Sequence, residues 1–218
     1  MARLLFEKKG NAIWISHLDL MRLFQRSFKR AGLPLKHSQG FNPRPSVSIA
    51  LPLSVGVESQ CELLDFTLEG EYDPKVVLRR LNEALVSGVV VRDVYENGGK
   101  LRDLALLACR VTLEYDAGVP QGASEEIQSL FSRDCLVVEK KGKSGLVEQD
   151  IRPMIHSAEV LQAGEKCVRI EAVIRCQNPT LNPALLAAAI GKYLPQYRPD
   201  FTKICREEIY DDTMTIFR

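Results

Sequence analysis

Apolar residues recur along this chain at two spacings, every second position for strands and every third or fourth for helices. Their order runs strand, helix, strand, strand, helix, strand and then starts again. In the first round Leu4 and Phe6 share one side of an extended segment from Arg3 to Lys9, which turns at Gly10-Asn11 and continues extended through Ala12–Ile15. Ser16 then caps a helix over 17–31, with Asp19 in its first turn and Leu20, Phe24 and Phe28 as its apolar stripe. Gly32 and Pro34 end it, and a long Gly/Pro-containing connection runs from Leu33 to Pro45. Strands are predicted over Ser46–Leu53 and Glu62–Glu69, a helix over 74–86 and a strand over Val89–Tyr95.

After Asn97-Gly98-Gly99-Lys100 the order restarts: strand Leu107–Tyr115, helix Ser124–Phe131, strand Leu136–Lys140, strand Cys167–Cys176, a helix from Asn182-Pro183 to Leu194, and strand Lys203–Ile209. This is an α+β pattern of two tandem ferredoxin-like (βαββαβ) domains, 1–97 and 101–218, the second carrying an insertion around 140–162 that opens with a glycine- and lysine-containing hairpin or loop. Trp14 and Tyr95 read as core or domain-interface residues.

A chain of 218 residues has room for two such cores. The N-terminal apolar run, Leu4-Leu5-Phe6, is too short for a signal-peptide core, and no stretch approaches a membrane span, so a cytoplasmic protein without membrane contact is expected. The six cysteines are scattered, no two within three positions, which fits reduced thiols packed in a core and yields no metal-ligand or cluster spacing. No metal or cofactor is expected. Net charge is only +1, but residues 1–60 hold nine Lys and Arg against three acids, while the remainder is net acidic. The N-terminal segment therefore suits a polyanion or an acidic partner.

Ile15-Ser16-His17-Leu18-Asp19-Leu20-Met21-Arg22, Arg26, Arg30, Leu33-Pro34, Ser38-Gln39-Gly40-Phe41-Asn42-Pro43-Arg44-Pro45, Pro52-Leu53, Gly56, Ser59, Glu62 and Asp65 together resemble the radical-SAM-linked (radical SAM-associated) family. The match is dense over residues 3–69 and thins to Asp150-Ile151-Arg152-Pro153. That family is a domain of unknown function found beside, or fused to, cobalamin-binding radical SAM proteins. The resemblance implies a radical SAM partner and assigns no catalytic residues; without a three-cysteine cluster motif, the chain is not itself the radical catalyst.

Arg22, Arg26, Lys29 and Arg30 gather on one face of the first helix, and the following loop adds Lys36, His37, Ser38, Phe41, Asn42 and Arg44. Cations in a row beside an aromatic suit phosphates and unpaired bases, hence an accessory module that binds RNA or another anionic substrate. Whether the chain has catalysis of its own stays open. As a metal-independent endoribonuclease, resembling the CRISPR-repeat processing enzymes, it would use His17, His37 and Lys36 as acid–base groups. As an interaction adaptor, the basic stripe would dock an acidic face of the partner. Ser16, Asp19, Glu58, Glu62, Asp65, Asp150 and Arg152 are expected to form structural networks, with the carboxylates of 58–65 pairing with the helix arginines and orienting the long loop. Glu62 and Asp65, an odd number apart, fall on opposite faces of a regular strand.

Overall fold

The computed structural model describes residues 1–142 and 145–218, a mixed α and β chain that divides into two compact units: Met1–Asp103 with Phe217–Arg218, and Leu104–Ile216. The first unit is built from β1 (Ala2–Lys8), α1 (His17–Arg30), β2 (Val47–Ile49), β3 (Glu58–Phe66), α2 (Pro74–Ala84) and β4 (Val89–Glu96). Its strands lie in the order β4-β1-β3, with β2 antiparallel to the Leu64–Phe66 end of β3. Leu4 and Phe6 meet Leu20, Phe24 and Phe28 of α1 and Val77 and Leu81 of α2 in one core. Phe6 and Phe24 pack edge to face at 4.8 Å, and Phe28 lies 5.0 Å from Phe66.

The segment expected to extend over Ala12–Ile15 is instead a 3-10 turn, Gly10–Trp14, followed directly by the Ser16 cap. Four residues between a glycine turn and a helix cap are too few to find a strand neighbour. The strand expected over 46–53 pairs only at Val47–Ile49, and its partner starts earlier than expected, at Glu58.

The second face of this sheet buries charge. Arg3 donates from Nε and Nη2 to both oxygens of Asp65, at 2.6 and 3.1 Å, and from Nη1 to the Gly99 carbonyl at 2.9 Å. Its guanidinium also lies 5.4 Å from the Phe217 ring. A Cβ on Gly98 would come within 2.8 Å of that guanidinium, so the chain can cross here only as glycine.

The second unit is built from β5 (Leu106–Glu114), α3 (Ala123–Phe131), β6 (Val137–Gly142), β7 (Gly145–Asp150), β8 (Ile155–Gln162), β9 (Cys167–Arg175), α4 (Ala184–Tyr193) and β10 (Phe201–Tyr210). Its sheet runs β10-β5-β9-β8, every pair antiparallel. The Leu136–Lys140 strand exists but leaves this sheet: β6 and β7 form their own two-stranded ladder, and the part of the expected hairpin or loop at 143–144 lies outside the described residues. The sheet position expected for it belongs to β8, inside the stretch 140–162 read as an insertion. The alternation of Ser157 to Leu161 is weak because most of that strand's side chains are at least partly exposed. Cys61, Cys109, Cys176 and Cys205 are buried, and burial raises the Cys109 thiol to about 12. No helix among the described residues is long and apolar enough to cross a membrane.

Replacing Asp65 by Ala strands a buried guanidinium and is expected to cost about 3–5 kcal/mol. Urea unfolding followed by the emission of Trp14, the one tryptophan, measures it.

Candidate nucleic-acid interface

The site starts from how β1 hands over to α1. Lys8 lies in register with Leu4 and Phe6 and is 1% exposed. Its ammonium donates to the Ile13 carbonyl at 3.1 Å and to the Ile15 carbonyl at 2.9 Å. Burial lowers its pKa below the ordinary 10.5, and the nearby Glu62 carboxylate partly opposes that shift. Ser16 then caps the helix: its hydroxyl accepts from the Asp19 amide at 3.2 Å and donates to the Asp19 carboxylate at 2.7 Å. With Arg22 bonded to the same carboxylate at 2.9 Å, Asp19 is held below the usual carboxylate range, chiefly by the Ser16 hydrogen bond.

Along α1 the inward positions are apolar, and the outward arc carries Arg22, Gln25, Arg26, Lys29 and Arg30, all at least partly exposed. Arg22, Arg26 and Arg30 border a groove of about 470 Å³ that Ile15, Leu23 and Val86 also line. Arg30 is not available in the way the sequence suggested: its guanidinium donates to the Ala84 carbonyl and to Ser27 Oγ, closing the C-terminal end of α2. Lys29 and Gln25 border a second, mostly apolar groove of about 510 Å³ with Phe28, Leu35, His37 and Pro45.

The long connection is a short two-stranded finger. The Lys36 amide donates to the Thr67 carbonyl, the Ser46 amide to the Lys36 carbonyl, and His37 bridges Pro45. The Ser38 amide reaches the Arg44 carbonyl at 2.9 Å, and the Arg44 amide returns to Ser38 Oγ at 3.0 Å. Lys36, His37, Ser38, Asn42 and Arg44 are all exposed, and Phe41 at the tip is 100% exposed. Among the described residues no salt bridge engages Arg26, Lys29, Lys36 or Arg44, although Arg26 contributes to the field that lowers the pKa of Asp19.

The histidines do not meet. His17 opens α1, whereas His37 borders the groove at the other end of the helix, whose 14 residues span roughly 20 Å. Of the expected carboxylate–arginine network, Asp19 does pair with Arg22, whereas the carboxylates of 58–65 have other contacts among the described residues. Asp65 pairs with Arg3, Glu62 faces Lys8, and Glu58 accepts from the Gly10 amide at 3.3 Å. All three sit on or beside the sheet, while Arg22 bonds Asp19 and Arg30 bonds the Ala84 carbonyl. In the second unit Asp150 meets Arg152 through backbone: its carboxylate accepts the Leu136 and Arg152 amides, which hold it below the usual range, and the Arg152 guanidinium turns to the Ile155 carbonyl. Among the described residues no group of three His, Cys, Asp or Glu side chains is placed to hold a metal.

Two residues of the site escaped the sequence reading. For Lys8 the signal that could have found it is its parity with Leu4 and Phe6, which aims it inward. Trp14 was read as a core or domain-interface residue, and it is 65% exposed. Its position between two isoleucines imitates a strand, and only the 3-10 turn rotates it outward.

Residues 2–183 match the family described as uncharacterized protein conserved in bacteria (DUF2344). The chain belongs to this family. No curated protein matches the sequence. Solved structures do: a chain in the crystal structure of a Cbf5-Nop10-Gar1 complex aligns with a TM-score of 0.52 and 10% identity. The alignment covers 95% of this chain and 48% of that one, a likeness of fold in which this DUF2344 chain spans about half the neighbour's length. An unknown protein from Galdieria sulphuraria aligns over 94% of this chain and 96% of its own at 12% identity, but its TM-score of 0.26 supports no structural argument.

Lys8→Met removes a buried ammonium that donates to the Ile13 and Ile15 carbonyls; a stability loss of about 3 kcal/mol is expected in urea unfolding. Because burial lowers the Lys8 pKa, the unfolded chain binds that proton more tightly. The wild-type chain is therefore expected to gain stability relative to Lys8→Met as pH rises towards 10.5, and a difference that is flat with pH would contradict this account.

Proposed function

We propose that this chain is an RNA-binding accessory module, presenting an anionic strand to a radical SAM partner from the outer face of α1 and the finger. The carrying observation is the set of exposed cations with no salt bridge among the described residues, Arg26, Lys29, Lys36 and Arg44, on the helix and the finger that also carries the wholly exposed ring of Phe41. Solvated cations on a braced helix neutralise phosphates at little structural cost, and a ring with no protein neighbour is available to a base. The radical SAM partnership follows from the family resemblance of residues 3–69. The tandem ferredoxin-like reading belongs to the same proposal and is supported by the likeness of the strand orders β10-β5-β9-β8 and β4-β1-β3-β2. The endoribonuclease alternative needs two acid–base groups within reach of one phosphate, and His17 and His37 lie at opposite ends of α1.

The test is a salt titration of binding to a labelled single-stranded RNA, read by anisotropy in chelator with the RNA checked for cleavage. Binding that weakens with salt, without cleavage, is expected. Arg22→Ala with Arg26→Ala should lower the slope of log K against log salt by roughly 0.7 per lost phosphate contact and leave the thermal transition in place. Arg30→Ala should instead cost about 1 kcal/mol of stability, because it uncaps α2. Absence of binding at low salt would overturn the proposal and favour an adaptor that docks on protein.

A further inference from the structure

We infer that the ligand of this face is an unpaired strand held between two stacking platforms, with Trp14 as the second platform opposite Phe41. This rests on the RNA-binding reading above and adds its substrate class and path. Trp14 precedes α1 in the chain and the finger that carries Phe41 follows it, its base at His37 and Pro45 bordering a groove with Lys29, while Arg22, Arg26 and Lys29 lie on the helix. Leu18, the second residue of α1, is a further exposed apolar side chain four positions after Trp14 and four before Arg22, 67% exposed.

The support beneath Trp14 sets it apart from an incidental surface aromatic. The carbonyls on either side of it, Ile13 and Ile15, both accept from the buried Lys8 ammonium. The Gly56 amide donates to the Ile13 carbonyl at 3.0 Å, and Gly56, at φ +83, lies so close that a Cβ there would stand 3.4 Å from Cζ3 of the ring. One edge of the indole thus rests on glycine backbone while most of the ring remains in solvent. An aromatic fixed in this way is organised for stacking before the ligand arrives, so little side-chain freedom is lost on binding.

α1 alone is roughly 20 Å long, and rings carried before and after it cannot both stack on bases enclosed in a duplex, whose faces are covered. A single strand satisfies both. At the stacked rise of about 3.4 Å per nucleotide the span corresponds to about six nucleotides, and to fewer when the bases are splayed. Stacking of this kind tolerates any base, so the site selects strandedness more than sequence.

Trp14 is the only tryptophan, so its emission reports this site directly. The full chain is titrated with oligouridylates of two, four, six and eight nucleotides and with a twelve-base-pair RNA duplex, following Trp14 emission and, separately, the anisotropy of a labelled eight-mer. Saturable quenching that coincides with the anisotropy change is expected, with affinity rising up to about six nucleotides and the duplex binding more weakly. Trp14→Ala should weaken the eight-mer about tenfold without changing the salt slope, and Trp14→Phe, which keeps a ring on Gly56, should stay within about threefold of wild type. Binding by anisotropy with unaltered Trp14 emission and wild-type affinity in Trp14→Ala would overturn this inference, leave the RNA-binding reading in place, and give the Trp14–Leu18 surface to a protein partner. Equal affinity for the duplex would overturn it too, and absence of binding to any RNA would overturn both.

Discussion

A buried ammonium determines the start of α1. Lys8 leaves β1 on the core side of the pleat and bonds the carbonyls of Ile13 and Ile15, so the strand, the 3-10 turn and the first residues of the helix are tied to one point. Desolvating a cation is expensive, and the cost is offset by two carbonyl acceptors and the field of Glu62. The direction of α1, the exposure of Trp14 and the placement of the outer arginines all follow from that anchor.

The helix itself divides its work between two faces. Leu20, Phe24 and Phe28 are fully or almost fully buried against β1, β3 and α2, which supplies the stabilisation. That leaves the outward arc nearly free of structural duty. Arg22 helps the N-terminal cap and Arg30 closes α2, but Arg26 and Lys29 stay in solvent, where they can meet a ligand without weakening the fold. The finger repeats this economy. Its base is fixed by backbone hydrogen bonds to Thr67 and across Lys36–Ser46, and everything beyond is exposed.

Much of the fold was legible where a periodic apolar stripe met a clear punctuation mark. Ser16 with Asp19, Gly32 with Pro34, and Asp73 with Pro74 bound the first two helices close to where they lie. The failures share a cause. Residues 12–15 have the composition of a strand but no neighbour to pair with, and β6 has strand composition but a partner, β7, outside the main sheet. Strand pairing is non-local, so composition shows that a segment can extend without showing what it extends beside. The candidate site shows the same limit: the basic helix and loop were legible, whereas pairing by the β3 carboxylates required knowing that Asp65 faces Arg3 across the sheet.

By itself the sequence determined the helices, their caps, the inward parity of Leu4, Phe6 and Lys8, and the concentration of cations in the first sixty residues, because each depends on neighbours within a few positions. Only the tertiary structure decided which of those cations are spoken for, that the two histidines stand at opposite ends of α1, and that Trp14 faces water. Those outcomes depend on contacts between residues far apart in the chain, as between Lys8 and Glu62, Arg30 and Ala84, and Trp14 and Gly56. Spacing along one segment carries no record of them.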